Sequence, residues 1–172
     1  MANFISGGAK YPVAELNKVA SRKTGEIEAQ CKLNEDLDVL YNGEIVYVDA
    51  VNNEITKTFS ADTCVDAIYL HFSNPRRYED GHSGMENFKY ERNDDYETFG
   101  DRYLPRVYKL TVGDIFTTNY DFTAADGSIL TAKVAAGTAF TFGDHKIVVI
   151  DEPSALGTMP NGAIGATYRV IA

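Results

Sequence analysis

Residues 106–151 read RVYKLTVGDIFTTNYDFTAADGSILTAKVAAGTAFTFGDHKIVVID, a succession of short alternating runs, each stopped by Gly or Asp. Val107, Lys109 and Thr111 alternate with Tyr108, Leu110 and Val112, the period of a strand with one face in a core. Gly113-Asp114 is a turn signal, and residues 115–118 restart the pattern. Asp126-Gly127 has the chemistry of a type I′ hairpin turn, whose two central positions need positive φ. Runs at 129–134, 138–142 and 145–150 follow, separated by Gly137 and by Gly143-Asp144. Strands this short and regular predict a closed or sandwiched β structure. Helix is expected in under about 15% of the chain, within residues 13–22 or in a long loop further on.

The rest of the chain extends this pattern. In residues 26–33, Ile27, Ala29, Cys31 and Leu33 share one face of a strand, and Glu26, Glu28, Gln30 and Lys32 the other. Residues 34–38 form an acidic turn, residues 39–41 a short run, and Asn42-Gly43 is the strongest hairpin signal in the sequence. Residues 44–51 alternate again, and Asn52-Asn53 turns the chain into residues 54–59. Residues 66–72 set Ala67, Tyr69 and His71 against Ile68, Leu70 and Phe72; a run apolar on both faces belongs in the middle of a sheet. Residues 152–163 carry the Pro and Gly of a loop, and 164–171 form a last strand that closes or edges the sheet.

With 172 residues, the chain is large enough to bury a core as one domain without disulfides or metal. Its net charge of −9 argues against a general nucleic-acid binder and against attraction to an anionic membrane. No apolar run is long enough to span a bilayer, and the first residues lack the apolar core of a secretory signal. Cys31 and Cys64, the only cysteines, are expected to be buried free thiols.

Two segments depart from the β pattern. Residues 1–25 read as an extended arm, with flexible Gly7-Gly8 and with Pro12 holding Tyr11 extended. Lys10, Lys18, Arg22 and Lys23 against Glu15 give this arm +3, leaving −12 on residues 26–172. A basic arm on an acidic body suggests contact with an acidic neighbouring surface, another copy included; the plainer reading is a solvated terminus. Residues 73–104 mix charges and rings without a period and form a long inserted loop. Tyr78, Tyr90, Tyr96 and Tyr103 lie in it, and a purely disordered linker would be poorer in aromatics. The loop is read as packed by its own rings or ordered by a partner; the alternative is a hydrophilic hairpin that only connects.

Catalytic patterns do not emerge. Gly81-His82-Ser83-Gly84-Met85 fails as a nucleophile elbow: Met85 stands at the last glycine, and the flanks are charged. His71, His82 and His145 are dispersed without metal-ligand spacing. The clusters Asn93, Asp94, Asp95, Glu97 and Asn119, Asp121, Asp126 do not follow the calcium-loop pattern and read as turn formers. No enzyme, metal or cofactor is expected.

YKLTVGDIF at residues 108–116, with GTAFTF at 137–142, resembles the strand–Gly-Asp–strand elements of the small head decoration, or capsid cement, proteins of tailed bacteriophages. The resemblance covers roughly the C-terminal third of the chain. It implies a compact β-barrel or β-sandwich that binds the outer surface of an assembled shell and is made in the host cytoplasm. The major capsid protein would be its partner, with trimers common and the arm bridging neighbouring capsid subunits. On that reading Lys10, Lys18, Arg22 and Lys23 of the arm and Tyr78, Tyr90, Tyr96 and Tyr103 of the loop are the expected capsid or subunit contacts. A head-fibre base or a tail component is a close variant. The rival from another class is a carbohydrate- or protein-binding β module that uses the loop tyrosines.

Overall fold

A computed structural model of the chain describes Ala14 and residues 26–72, 89–91, 104–124, 128–132, 134–151 and 165–172. The described residues hold twelve strands and no helix. In chain order they are β1 (Ile27–Glu28), β2 (Lys32–Leu33), β3 (Val39–Tyr41), β4 (Ile45–Asp49), β5 (Glu54–Thr56) and β6 (Ile68–His71). Then come β7 (Lys89–Glu91), β8 (Val107–Leu110), β9 (Ile115–Thr118), β10 (Ala139–Phe142), β11 (His145–Asp151) and β12 (Ala166–Val170). The protein is mainly β, as the alternation predicts.

Six strands form one sheet in the order β1-β8-β6-β4-β5-β2, antiparallel except for the parallel β2–β5 pair. Its two outer strands, β1 and β2, are separated in sequence only by residues 29–31. Laid flat, six strands would put the outermost about 24 Å apart at ~4.8 Å spacing. The four Cα steps from Glu28 to Lys32 reach at most about 14 Å. The sheet must therefore curl until its edges almost meet. The curl stays open, because β1 and β2 do not pair with each other. Every strand position in this sheet except β1 sends an apolar side chain to one cluster inside the curl: Leu33, Val46, Val48, Ile55, Tyr69 and Val107. Cys31 joins them, and fully buried Leu40 of β3 packs there too.

Alternation on the central strands decides what lies on the outer face. Val46 and Val48 point into the curl, while Ile45 and Tyr47 join a second cluster with Ile68, Leu70 and Leu110. That second cluster is shared with a four-stranded antiparallel sheet, order β10-β11-β12-β9, through Phe116, Ile147, Val149, Ala166, Tyr168 and Val170. The arrangement is thus a curled sheet with a second sheet packed on its outside. β4 is buried along its whole length because both of its faces meet a core.

The chain changes sheet at the turn between β8 and β9, where Gly113 takes φ +95°. Asp114 is fully buried there, and its Oδ2 accepts from the Thr111 N–H at 2.8 Å and the Thr111 hydroxyl at 3.1 Å. The same turn is stitched to the end of β12: Gly113 N–H donates to the Val170 carbonyl and Val170 N–H to the Asp114 carbonyl. Asp114→Ala is expected to cost about 1–3 kcal/mol, the usual cost of leaving a buried partner unsatisfied. Urea denaturation checks it, and no loss would mean the turn holds without the carboxylate.

Several sequence expectations are corrected. Asn42-Gly43 does not join a hairpin: β3 pairs with β7 in a separate two-stranded ribbon, and β4 pairs with β5 and β6. The turn is held instead by β6, with Gly43 N–H donating to the His71 carbonyl and His71 N–H to the Glu44 carbonyl, both at 2.9 Å. Residues 26–33 are not one strand but two, since β1 and β2 serve opposite edges of the curl; Ile27 is 44% exposed while Cys31 and Leu33 are buried. The described residues of the run at 129–134, namely 129–132 and 134, form no strand. Ile129 makes a single bridge to Tyr120, and Leu130 N–H donates to the Asn119 carbonyl. The Asp126-Gly127 turn lies outside the described residues. The Gly143-Asp144 turn joins β10 to β11, with Gly143 at φ +58° in the position that type II′ hairpins reserve for glycine.

Candidate functional site

The expected contact residues fall almost entirely outside the described part of the chain: Lys10, Lys18, Arg22, Lys23, Tyr78, Tyr96 and Tyr103. Tyr90 is the exception at the level of backbone. It sits in β7, opposite Leu40 of β3, so part of the inserted segment is a strand of the fold and not loop. The arm, too, is represented by one residue. Ala14 makes an antiparallel bridge to Thr118 on β9, an outer strand of the four-stranded sheet. It is 7% exposed and belongs to the core between the two sheets. The other residues of the expected arm, 1–13 and 15–25, lie outside the described residues. A small side chain suits position 14, because Thr117, Thr118 and Asn119 beside it are all fully buried.

A polar node is buried where β3, β4 and β6 meet. The Glu44 carboxylate is 2% exposed; it accepts from the Lys57 ammonium at 2.8 Å and from the Tyr41 N–H at 2.9 Å. His71 is fully buried with Nδ1 2.7 Å from the Tyr41 carbonyl. A carbonyl only accepts, so Nδ1 carries the proton of the neutral ring. Burial holds this imidazole far below its ordinary range, at about 4, against the Tyr41 hydrogen bond and with help from the Lys57 charge. The node braces the turn that the Asn42-Gly43 signal marks.

Beside Lys57 opens a cleft of about 290 Å³, lined by residues that include Asp36, Asp49, Lys57 and Cys64. Its polar groups hold turns. Asp49 accepts from the Asn52 and Val51 amides and from the Asn52 side chain, and these bonds, the Asn52 amide first, keep its carboxyl below the usual carboxylate range. Lys57 is committed to Glu44, and Cys64 Sγ accepts from the Ser60 N–H at 3.4 Å. Asn34 donates to Glu54 at 2.7 Å and accepts from the Asp36 N–H.

Both cysteines are free. Cys31 is buried, as expected, and donates to Asn53 Oδ1 at 3.2 Å; burial, then the Glu28 charge, push its thiol up to about 12, so it stays protonated. Cys64 is only half-buried and lies in an isolated bridge to Asp49, not in a strand. His145 begins β11, its Nε2 3.3 Å from the exposed Asp66 carboxylate but without hydrogen-bond alignment. Asp121 takes the turn role expected of it, accepting from the Thr123 N–H and hydroxyl. Among the described residues no three His, Cys, Asp or Glu side chains gather as a metal site, and no helix is long and apolar enough to cross a membrane.

Glu44 and the Ala14–Thr118 pair are structurally committed residues that sequence reasoning passes over, and for Asp114 it finds the turn but not the burial of the carboxylate. In comparisons with known proteins, no family model, curated protein or solved structure matches this chain.

Proposed function

We propose that this chain is a virion structural protein that binds the outer surface of a tailed-phage capsid and cements neighbouring subunits, with the major capsid protein as its partner. The observation that carries the reading is the joint placement of charge and anchor. A segment of +3 precedes a remainder of −12, and it is fastened to the body at Ala14, on the edge of a sheet. An arm that meets the body at Ala14 and carries the opposite charge is suited to reach a neighbour while staying attached. The β body supplies a rigid scaffold, and the reading asks for no catalytic step.

The test uses purified capsids that lack the protein. Replacing Lys10, Lys18, Arg22 and Lys23 by Ser removes the arm's charge and leaves Ala14 in place. Capsid affinity is expected to fall about tenfold or more, equivalent to at least ~1.4 kcal/mol, with the melting temperature unchanged. Binding of the unaltered protein should weaken between 0.1 M and 1 M salt, as the screening length drops from ~10 Å to ~3 Å. Equal occupancy by the two proteins at both salt concentrations would remove the arm from the interface. Failure of the unaltered protein to bind capsids at all would overturn the reading itself.

A further inference from the structure

β10 is an outer strand of the four-stranded sheet. The two-residue turn at Gly143-Asp144 makes Phe142 and His145 a hydrogen-bonded pair, and bonding alternates from there. Phe140 then bonds to Ile147, and Val149 N–H donates to the Thr138 carbonyl at 2.8 Å. Ala139 and Thr141 therefore aim their N–H and C=O groups away from β11. Both residues are exposed, and among the described residues no bond reaches those groups. The other outer strands of the two larger sheets are guarded: Glu28 stands on β1, Lys32 on β2, and β9 takes the Ala14 bridge. Charges and covers of these kinds stop a sheet edge from templating another strand. β10 has neither among the described residues, and residues 134–143, VAAGTAFTFG, carry no charge in a chain of net −9.

We propose that the open edge of β10 pairs antiparallel with β10 of a second copy of this chain, a two-fold contact that joins two four-stranded sheets into one. Register favours the second copy as the occupant, because this edge is complementary to itself. With Phe140 facing its own equivalent, Ala139 lies opposite the second copy's Thr141 and Thr141 opposite its Ala139, and each of these pairs exchanges both bonds. No other antiparallel register uses both residues of both copies. Phe140 and its equivalent then stand at a non-hydrogen-bonded position, where the two chains approach closest, Cα atoms ~4.5 Å apart. Phe140 is only half-buried, its ring centroid 5.6 Å from Phe122 and 6.1 Å from Tyr168, so pairing carries this ring cluster across the two-fold axis. On the opposite face Ala139 and Thr141 meet, with no like charges to hold the copies apart. The contact needs no shell, so it stands or falls apart from the capsid reading.

Directly opposed residues of an antiparallel pair lie within disulfide reach, whereas Ala139 and Thr141 are each only diagonal to their own equivalents. Chains carrying only Ala139→Cys are mixed with differently tagged chains carrying only Thr141→Cys, oxidised and separated without reductant. The mixture is expected to give a covalent dimer holding both tags, well above the yield from either chain alone. Equal yields overturn the proposal. Sedimentation of the unsubstituted chain is the second measurement, and it should show a monomer–dimer equilibrium. Thr141→Pro removes an outward N–H and no bond between β10 and β11, so it should weaken the dimer about tenfold or more while leaving the melting temperature of the monomer unchanged. A dimer that Thr141→Pro leaves intact overturns the proposal. So does a chain that stays monomeric at every concentration, its β10 edge then being left to a strand of another protein.

Discussion

Acidifying the protein from neutrality to about pH 4 is expected to remove about 3 kcal/mol of folding stability through His71 alone. The folded imidazole is held near 4, against 6.5 for an unperturbed histidine. Between those values the unfolded chain binds a proton that the folded chain refuses. The contribution is complete above 6.5, declines as the pH falls, and levels off below about 4. Asp49 acts in a different window: its carboxyl is depressed, so its contribution is present above 3.8 and is lost as the pH falls below that. Urea denaturation across this range checks the assignment when repeated with His71→Asn, whose amide can still donate to the Tyr41 carbonyl. The variant should show a flat profile between 6.5 and 4. A variant that kept the wild-type slope would mean that another group titrates there.

Phe116→Ala is expected to cost about 3–5 kcal/mol, the range for deleting a large buried aromatic ring. Phe116 is fully buried on β9 and stacks on Tyr168 with ring centroids 5.4 Å apart. Around Tyr168 stand Phe122 and Phe140, at 5.1 and 6.1 Å. The neighbours are held on two strands of the same sheet and on a turn, so the cavity cannot close by a small shift. In a chain of this length the melting temperature should fall by about 10 °C or more. Val112→Ala, at a site 56% exposed in the turn between the sheets, should stay within about 0.5 kcal/mol. Similar melting temperatures for the two variants would mean that the sheets do not share a core.

How legible each part was follows from what alternation can report. It records which face of a strand meets apolar neighbours. β9 is therefore found at its own bounds, and β6 is recognised as central because Ile68 and Leu70 face one core while Ala67 and Tyr69 face the other. Alternation does not record which strand lies next door. Residues 26–33 keep their alternation across a break, although only Cys31 and Leu33 of that apolar face are buried and Ile27 of β1 is 44% exposed. Asn42-Gly43 has hairpin chemistry and closes its own turn with Glu44 N–H donating to the Tyr41 carbonyl, yet the turn is tied on to β6, which comes later in the chain, and not into a β3–β4 pair. Glu44 looks like a solvent-facing acid beside a strand and is buried because Lys57 and the Tyr41 amide meet it there. The contact residues expected for the arm and the tyrosine loop rest on charge and composition, which carry no position.

The three-residue link between the outer strands of the curl also sets an order of events. β1 is among the first parts of the fold to leave the ribosome, but its partner β8 follows β2 through β7. Until β8 has been synthesised and laid against β6, Ile27 and its strand have nowhere to dock. Closing so long a loop costs chain entropy before any contact rewards it. β1 is therefore the last strand of the curl to be fastened, and closing the curl waits on β8.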